Sequence, residues 1–332
     1  MFDRIGLIDY DGKMPNLALM KLSAWYKAQG CQVILNPATL SGLDKVYCSV
    51  LFTWNRRKAE RLADVYRDIE FGGTGISLHK DLPAEVEACR PDYSLYTVDA
   101  LYPRMRGVKS QEKRIEKANM LIRSGIGRTT TGCTRTCPHC AVPKKEGGLR
   151  QVAAISDLLN PDSNNLILLD NNLLADPDCL DKLHELRDRK IRVSITQGID
   201  ARLVTDEIAQ ALSEVKLIGD YLHCAWDYTS MEGIVMRGVD VLSRFIRASK
   251  LACYMLVGYD STFEEDMHRF RVLTGRGISP YAMVFNKDEG AADARCRHFA
   301  RWINGRFYKS CSWDEYEPWV KAQFQGALQL CR

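Results

Sequence analysis

Strand-like and helix-like segments alternate along most of this 332-residue chain, and this alternation restricts its possible folds more than any other feature. Short apolar runs such as Arg4–Asp9 (RIGLID) are followed by segments whose apolar residues recur at helical spacing, such as Leu17–Trp25. A helix between two successive strands favours parallel pairing of those strands. The sequence therefore predicts an α/β fold.

Changes in this pattern divide the chain into four predicted segments. Residues 1–95 predict a doubly wound, Rossmann-like domain, although its Gly72–Gly75 turn matches neither the dinucleotide-binding nor the P-loop glycine pattern. Residues 96–120 predict a basic linker, residues 121–287 a partial (β/α)6 barrel, and residues 288–332 a C-terminal helical extension. The barrel strands are expected at Leu121–Thr130, Leu166–Asp170, Arg192–Thr196, Lys216–Ala225, Leu251–Val257 and Pro280–Phe285.

The composition is typical of a folded protein in a reducing compartment. Apolar residues make up 46% of the chain and charged residues 27%, which excludes extended disorder. No stretch approaches the ~20 apolar residues that span a bilayer, and the start Met1–Arg4 lacks the profile of a signal peptide. We therefore expect a cytoplasmic protein without a membrane partner, in which nine of the twelve cysteines are small buried residues.

The other three cysteines form a CxxxCxxC motif directly after the first predicted barrel strand. Cys133, Cys137 and Cys140 lie within eight residues, and three thiolates on one loop can bind three irons of a [4Fe–4S] cubane. The fourth iron then has no protein ligand and can bind the amino and carboxylate groups of S-adenosylmethionine (SAM). A structural zinc site would need a second CxxC pair, and an electron-transfer cluster a fourth cysteine at fixed spacing. The sequence favours the open cluster over these two alternatives.

The motif and the barrel pattern, over roughly residues 120–290, resemble the radical SAM superfamily. The resemblance implies reductive cleavage of SAM to a 5′-deoxyadenosyl radical, used for C–H functionalisation such as methylation. It also implies a reductant protein such as a flavodoxin or a ferredoxin. The SAM contacts that it implies are His139 near the adenine, Asp170 or Asn172 in place of a glycine-rich GGE-like element, and the backbone of Val257 and Gly258.

Polar residues that follow the third and fourth barrel strands are further candidates, because parallel barrels place their chemistry at the carboxyl ends of the strands. Each of these side chains could bind SAM or substrate, or could only close a loop with a hydrogen bond. The cofactor-binding candidates are Gln197 and Arg202, and the catalytic candidates are Asp200, His223, Trp226 and Asp227.

The first domain resembles the cobalamin-binding domain that precedes the barrel in one class of the superfamily. The resemblance rests on Ile5–Asp9 and on Asn16–Leu19 at the start of a helix. The DxHxxG motif of base-off cobalamin ligation is missing, since His79 is the only histidine in residues 1–120. Cobalamin as a further cofactor, and a scaffold or substrate-recognition role without it, both stay open. A cluster- and SAM-binding module that is non-catalytic or senses redox state is the alternative to an enzyme.

A basic segment surrounds the cysteine motif. Arg104–Arg150 contains 12 Lys or Arg and three Glu, a local charge of +9 against +4 for the whole chain. Clustered cations of this kind attract phosphates, so we expect an anionic substrate or partner such as a nucleic acid. A solvated linker that also balances the charge of an anionic cluster is the alternative, with a peptide or a small metabolite as substrate.

Overall fold

The computed structural model describes residues 3–38, 42–105, 107–108, 110–285 and 294–320. Contacts divide the chain into two compact units, the first comprising residues 1–170 and 190–194 and the second residues 171–189 and 195–332. The boundary between the units falls inside the segment predicted as the barrel.

The first unit contains nine strands and seven α-helices within the described residues. The strands are β1 Arg4–Asp9, β2 Gln32–Leu35, β3 Lys45–Ser49, β4 Ile69–Gly72, β5 Gly125–Gly127, β6 Thr130–Thr131, β7 Arg150–Gln151, β8 Asn165–Leu168 and β9 Arg192–Ile195, which ends one residue into the second unit. The helices are α1 Leu17–Ala28, α2 Arg56–Glu60, α3 Ala84–Glu87, α4 Val98–Leu101, α5 Gln111–Arg123, α6 Val142–Lys145 and α7 Ile155–Leu158.

The second unit continues the same alternation of helix and strand. Its described elements are α8 Cys179–Asp188, α9 Asp206–Glu214, β10 Lys216–Leu217, β11 Leu222–Trp226, α10 Glu232–Phe245, β12 Leu251–Val257, α11 Phe263–Gly275, β13 Ser279–Val284 and α12 Ala294–Asn304. The predicted C-terminal extension is helical in α12, and residues 321–332 lie outside the described residues.

A four-stranded parallel sheet begins the first unit, with the strand order β2-β1-β3-β4. Ile5 and Leu7 of β1 are fully buried beside Leu19 and Met20 of α1, which begins at its cap Asn16. Because β2 and β3 lie on opposite sides of β1, the winding direction changes there, as in doubly wound sheets. The α/β class with parallel sheets is therefore confirmed.

Parallel pairing recurs in two later sheets, whereas the short strands β6 and β7 pair in antiparallel fashion. In the first unit β5, β8 and β9 lie side by side with β8 in the middle, and β5 pairs with β8 in parallel. In the second unit β11, β12 and β13 form a parallel sheet, with one more parallel bridge from Ile199 to Cys224. Within the described ranges no helix combines the length and the apolarity needed to cross a membrane.

Two predicted strands were wrong in extent. The strand expected at 121–130 begins too early, because α5 is capped by Ser110 and continues to Arg123 with Leu121 on its buried face. Only β5 and β6 remain of that strand. The strand expected at 216–225 is split into β10 and β11, where Gly219 takes a φ of +98° that a continuous strand excludes.

Candidate functional site

The segment that leads into the cysteines is fixed by a buried carboxylate. Asp170, two residues after the end of β8, is fully buried and accepts hydrogen bonds from the backbone amides and hydroxyls of Thr129 and Thr130. The shortest of these, from Thr129 Oγ1, is 2.6 Å. The sequence predicted Asp170 as a contact to SAM. In the structure its oxygens accept hydrogen bonds from the chain three and four residues before Cys133 and so support the start of the cysteine segment.

A second carboxylate closes the cysteine loop, defined here as residues 132–147. Glu146 Oε2 accepts from Thr131 Oγ1 at 2.5 Å and from the Gly132 amide at 3.0 Å, and Glu146 Oε1 accepts from Arg128 at 2.8 Å. Burial opposes ionisation of Glu146, but these hydrogen bonds and the Arg128 charge outweigh it and lower its pKa to about 2. Glu146 is therefore ionised at neutral pH and connects the two ends of the loop.

Backbone contacts bring the same two ends together. Thr130 and Thr131 pair in antiparallel fashion with Gln151 and Arg150, so that β6 and β7 form the base of the loop. Gly132 has a φ of +78°, and a Cβ at this position would overlap the carbonyl oxygen of Gly148. Glycine is required here both by the left-handed backbone and by the close approach.

The three cysteines lie on this closed loop. Cys133, Cys137 and Cys140 are all partly exposed. The amide of Cys140 donates to the Cys137 carbonyl at 3.0 Å, and the amide of Arg135 donates to Cys133 Sγ at 3.4 Å. His139, also partly exposed, belongs to the same turn. Among the described residues, no group of three or more His, Cys, Asp or Glu is arranged to hold a metal ion.

Several cations of the basic segment are used inside the first unit. Arg104 pairs with buried Asp9 at 3.3 Å, Arg128 pairs with Glu146, and Arg150 donates to the Glu146 carbonyl at 2.6 Å. Exposed cations on α5 are the main remainder, and Arg106 and Lys109 lie outside the described residues. The exposed α5 cations are Lys113, Lys117 and Arg123.

In the second unit, one face of the β11–β13 sheet carries a row of rings. His223 stacks on Tyr254 with ring centroids 4.8 Å apart and planes 12° apart, and Tyr254 meets Tyr281 edge-on at 5.7 Å. Tyr281 is 47% exposed, so the row reaches solvent. Burial lowers the pKa of His223 below its usual 6.5, so its imidazole is neutral at pH 7. The row can accept a flat ring by stacking.

The loop after β9 adjoins this row within the second unit. The Ile199 amide donates to the His223 carbonyl at 2.8 Å, and a Cβ at Gly198 would meet Tyr254 at 3.4 Å. On this loop Asp200 and Arg202 form a bidentate ion pair with distances of 2.6 and 2.8 Å, and Gln197 is exposed. The structure therefore brings Gln197, Asp200 and Arg202 into the neighbourhood of His223.

A buried ion pair fixes the carboxyl ends of β11 and β12. Arg269 is fully buried and donates to the carbonyls of Trp226 and Asp227 at 2.8 Å and of Leu256 at 2.5 Å. Its partner Asp266 accepts from the amide of Gly258 at 3.1 Å and from Ser261 Oγ at 2.8 Å. We refer to the Arg269–Asp266 pair as the clamp, and it holds the ends of β11 and β12 in a defined position.

The candidate residues at these strand ends differ in whether a ligand can reach them. The indole of Trp226 is fully buried, on the opposite face of β11 from His223, and donates to the Tyr228 carbonyl at 2.7 Å, which is a packing role. Val257 is also buried, whereas Gly258 is exposed with a φ of +74°. Asn172 is buried near the start of the second unit.

Sequence reasoning missed residues that hold the cysteine loop in the first unit and the strand ends in the second. No sequence pattern pointed to Glu146, because its hydrogen-bond partners become its neighbours only in the folded loop. Arg269 could have been suspected from its i, i+3 spacing to Asp266 on α11. Tyr254 and Tyr281 lie on predicted strands, but only the register of those strands places them beside His223.

No protein-family model matches this chain, and no curated protein matches it.

Proposed function

We propose that this protein is an iron–sulfur enzyme of the radical SAM type, in which Cys133, Cys137 and Cys140 hold a [4Fe–4S] cluster that binds SAM. One observation carries the proposal: the three partly exposed thiols lie on a single loop whose ends are joined by Glu146 and supported by Asp170. The donor set fits the cluster in number and chemistry. When bound and reduced, the cluster supplies the electron that cleaves the C5′–S bond of SAM into methionine and a 5′-deoxyadenosyl radical.

We further propose that residues 121–287 form a partial (β/α)6 barrel. Support comes from the parallel pairing of β5 with β8 and of β11, β12 and β13 with one another, with helices between successive strands. In such barrels the chemistry is carried by segments that follow the strands. The cysteine loop and Gly258 both occupy positions of this kind.

Contacts to SAM are proposed from the resemblance to the radical SAM superfamily, and contacts to the substrate from the positions of polar residues after the strands. His139 and the backbone at Val257 and Gly258 are proposed to contact the adenine, and Asn172 is proposed to contact the methionyl end. The neutral imidazole of His223 and its tyrosine neighbours are proposed to stack on a flat ring. For the remaining candidates Gln197, Asp200, Arg202 and Asp227, contact with SAM or substrate is proposed.

The first domain serves either as a cobalamin-binding domain or as a scaffold. Its parallel sheet suits both roles. Anaerobic purification in the presence of hydroxocobalamin separates them, because near-stoichiometric cobalt is required for methyl transfer through methylcobalamin. A colourless protein without cobalt would exclude that route and leave other C–H functionalisation.

We propose two partners, one from the chemistry of SAM cleavage and one from the charge of α5. A one-electron reductant protein such as a flavodoxin or ferredoxin is proposed, because SAM cleavage consumes an electron. An anionic substrate is proposed, because α5 presents Lys113, Lys117 and Arg123 to solvent. A salt series of substrate binding with a variant that replaces these three residues by Gln tests the second proposal.

Cluster loading tests the assignment of the loop. Anaerobic reconstitution is expected to give about four irons and four sulfides per chain. Substitution of Cys133, Cys137 and Cys140 by Ala should abolish loading, whereas a control in which the partly exposed Cys89 and Cys311 become Ala should load normally. Unchanged iron in the loop variant would contradict the proposal.

A second candidate is a module that binds the cluster and SAM without turnover, as in redox sensing. One observation favours it: both oxygens of Asp170 accept hydrogen bonds from Thr129, so the Asp170 carboxylate is already engaged within the fold and Asn172 is left as the substitute for a GGE-like element. Such a module would bind SAM with micromolar or better affinity and form no 5′-deoxyadenosine under strong reductant.

A further inference from the structure

An exposed pair of aromatic rings follows β3 in the first unit. Phe52 and Trp54 stack with ring centroids 4.5 Å apart and planes 17° apart. Phe52 is 39% exposed and Trp54 is 50% exposed. Scattered exposed apolar side chains are common, but two rings stacked on each other at the surface form a platform. We refer to Phe52 and Trp54 as the ring platform.

The backbone under the ring platform is held firmly. The carboxylate of Asp11 accepts hydrogen bonds from the amides of Leu51 at 2.8 Å and Phe52 at 3.1 Å, and from Asn55 Nδ2 at 3.0 Å. One carboxylate therefore holds the chain on both sides of the rings, at Leu51–Phe52 and at Asn55.

The glycine-rich turn after β4 supports the same backbone from the other side. Thr74 Oγ1 donates to the Leu51 carbonyl at 2.8 Å, and the Gly75 amide donates to the Val50 carbonyl at 2.9 Å. A Cβ at Gly75 would lie 2.7 Å from the carbonyl carbon and oxygen of Phe52. A platform fixed in this way loses little conformational entropy when a ligand stacks on it.

Cations follow the ring platform directly. Residues 52–67 contain five Lys or Arg and two acidic residues, a local charge of +3. Arg56 pairs with Glu60 at 2.8 Å, whereas no ion pair of Arg57, Lys58 or Arg61 is found within the part of the chain that the structure describes. These three side chains are exposed and form the cationic segment of the surface.

We infer that the ring platform and the cationic segment together bind single-stranded nucleic acid. Unpaired bases stack on aromatic rings whatever their identity, and the phosphates that connect them match Arg57, Lys58 and Arg61. In a duplex the base faces are already stacked on one another, so duplex DNA offers only its phosphates. With five residues, α2 is too short to form the amphipathic helix that lies in a membrane interface. The inference does not depend on the cluster and concerns residues outside the basic segment Arg104–Arg150.

Fluorescence anisotropy with the full-length protein tests the inference. The probes are fluorescein-labelled 12-nucleotide oligo(U) and oligo(dT), a 12-base-pair DNA duplex, and vesicles of phosphatidylcholine with phosphatidylserine. We expect the single strands to bind at least tenfold more tightly than the duplex. Binding of vesicles alone, or equal affinity for duplex and single strands, would overturn the inference.

Variants separate stacking from charge. Trp54→Ala is expected to weaken single-strand binding by roughly 10- to 100-fold, with recovery in Trp54→Tyr, because base stacking on aromatic rings is worth that much. Arg57→Gln with Lys58→Gln is expected to lower the slope of log K against log salt by about 1.4. Controls with equally exposed groups in the second unit should leave both quantities unchanged. They are Phe245→Ala and Lys216→Gln with Lys250→Gln.

Two further measurements show whether a change in oligonucleotide affinity comes from misfolding or from loss of the cluster. The melting temperature of each variant is compared with that of the wild type, since the changed side chains are exposed and should not alter it. A protein with Cys133, Cys137 and Cys140 replaced by Ala is expected to keep its affinity for oligo(U), so that failure of the radical SAM proposal and failure of this inference give different results. Unchanged single-strand affinity in a folded Trp54→Ala protein would refute the inference.

Discussion

The closure of the cysteine loop by Glu146 predicts a pH-dependent loss of stability in Glu146→Gln. The side-chain amide of Gln cannot accept hydrogen bonds from Thr131, Gly132 and Arg128 at the same time. It also carries no negative charge to pair with the positive charge of Arg128. The pKa of Glu146 falls from its ordinary 4.5 to about 2. Because the side chain is only 11% exposed, this difference corresponds to about 3 kcal/mol of unfolding free energy at pH 7.

The sign of the pH dependence follows from the lowered pKa. A carboxylate whose pKa is lower in the folded state stabilises the protein fully above its unfolded pKa, and this stabilisation is lost as the pH falls towards the folded value. The difference in unfolding free energy between wild type and Glu146→Gln should therefore fall from about 3 kcal/mol at pH 7 to about 2 kcal/mol at pH 3.5.

Urea unfolding of the cluster-free protein, followed by circular dichroism at pH 7, 4.5 and 3.5, measures this difference. Glu87→Gln is the matched control, because Glu87 also forms an ion pair, with Lys21, but is 61% exposed. We expect that control to change the unfolding free energy by less than about 1 kcal/mol at every pH. A Glu146→Gln effect that is equally small, or that grows as the pH falls, would refute the electrostatic account of the loop.

Three more outcomes are expected. Gly132→Ala should lower iron per chain after reconstitution and reduce the melting temperature, whereas Gly148→Ala, where a Cβ meets no atom within 4 Å, should do neither; equal iron in both would be contrary evidence. Arg269→Met should cost about 3–5 kcal/mol in urea unfolding, because it leaves the buried Asp266 carboxylate without its cation, and Asp266→Leu added to it should restore only part of the loss, since the carbonyls of Trp226 and Leu256 stay without their donor; a loss below about 1 kcal/mol in Arg269→Met would argue against the clamp. His223 should titrate by NMR below 6.5, and its contribution to stability, present above pH 6.5, should decline as the pH falls below that value; titration at or above 6.5 would be inconsistent with its burial.

The alternation of strand and helix was sufficient to predict the fold class and many element positions. β1 and β12 have the bounds that their apolar runs predict, and Asn16 caps α1 as expected. The strand expected at 121–130 was wrong in its first three residues, because a short apolar run does not reveal whether its period is helical or extended. Leu121 continues the buried face of α5, and only β5 and β6 are strands.

The sequence was sufficient to predict the three cysteine ligands of the candidate site. It was not sufficient to predict the residues that hold the cysteine loop in place. The spacing of the three cysteines is local and is visible in the sequence. Asp170 was noticed, but its partners Thr129 and Thr130 lie about 40 residues away, so its role depended on the pairing of β5 with β8. Charge at Arg104 and Arg128 was counted as available to a partner, although buried carboxylates within the fold engage both residues.

Formation of 5′-deoxyadenosine tests the central proposal most directly. Anaerobically reconstituted protein is incubated with SAM and dithionite, and the nucleoside is quantified by mass spectrometry against the variant with Cys133, Cys137 and Cys140 replaced by Ala. We predict 5′-deoxyadenosine and methionine in equal amounts from the wild type, and none above background from the variant. A wild-type protein that loads four irons and binds SAM but yields no 5′-deoxyadenosine would contradict the proposed enzyme and favour the non-catalytic module.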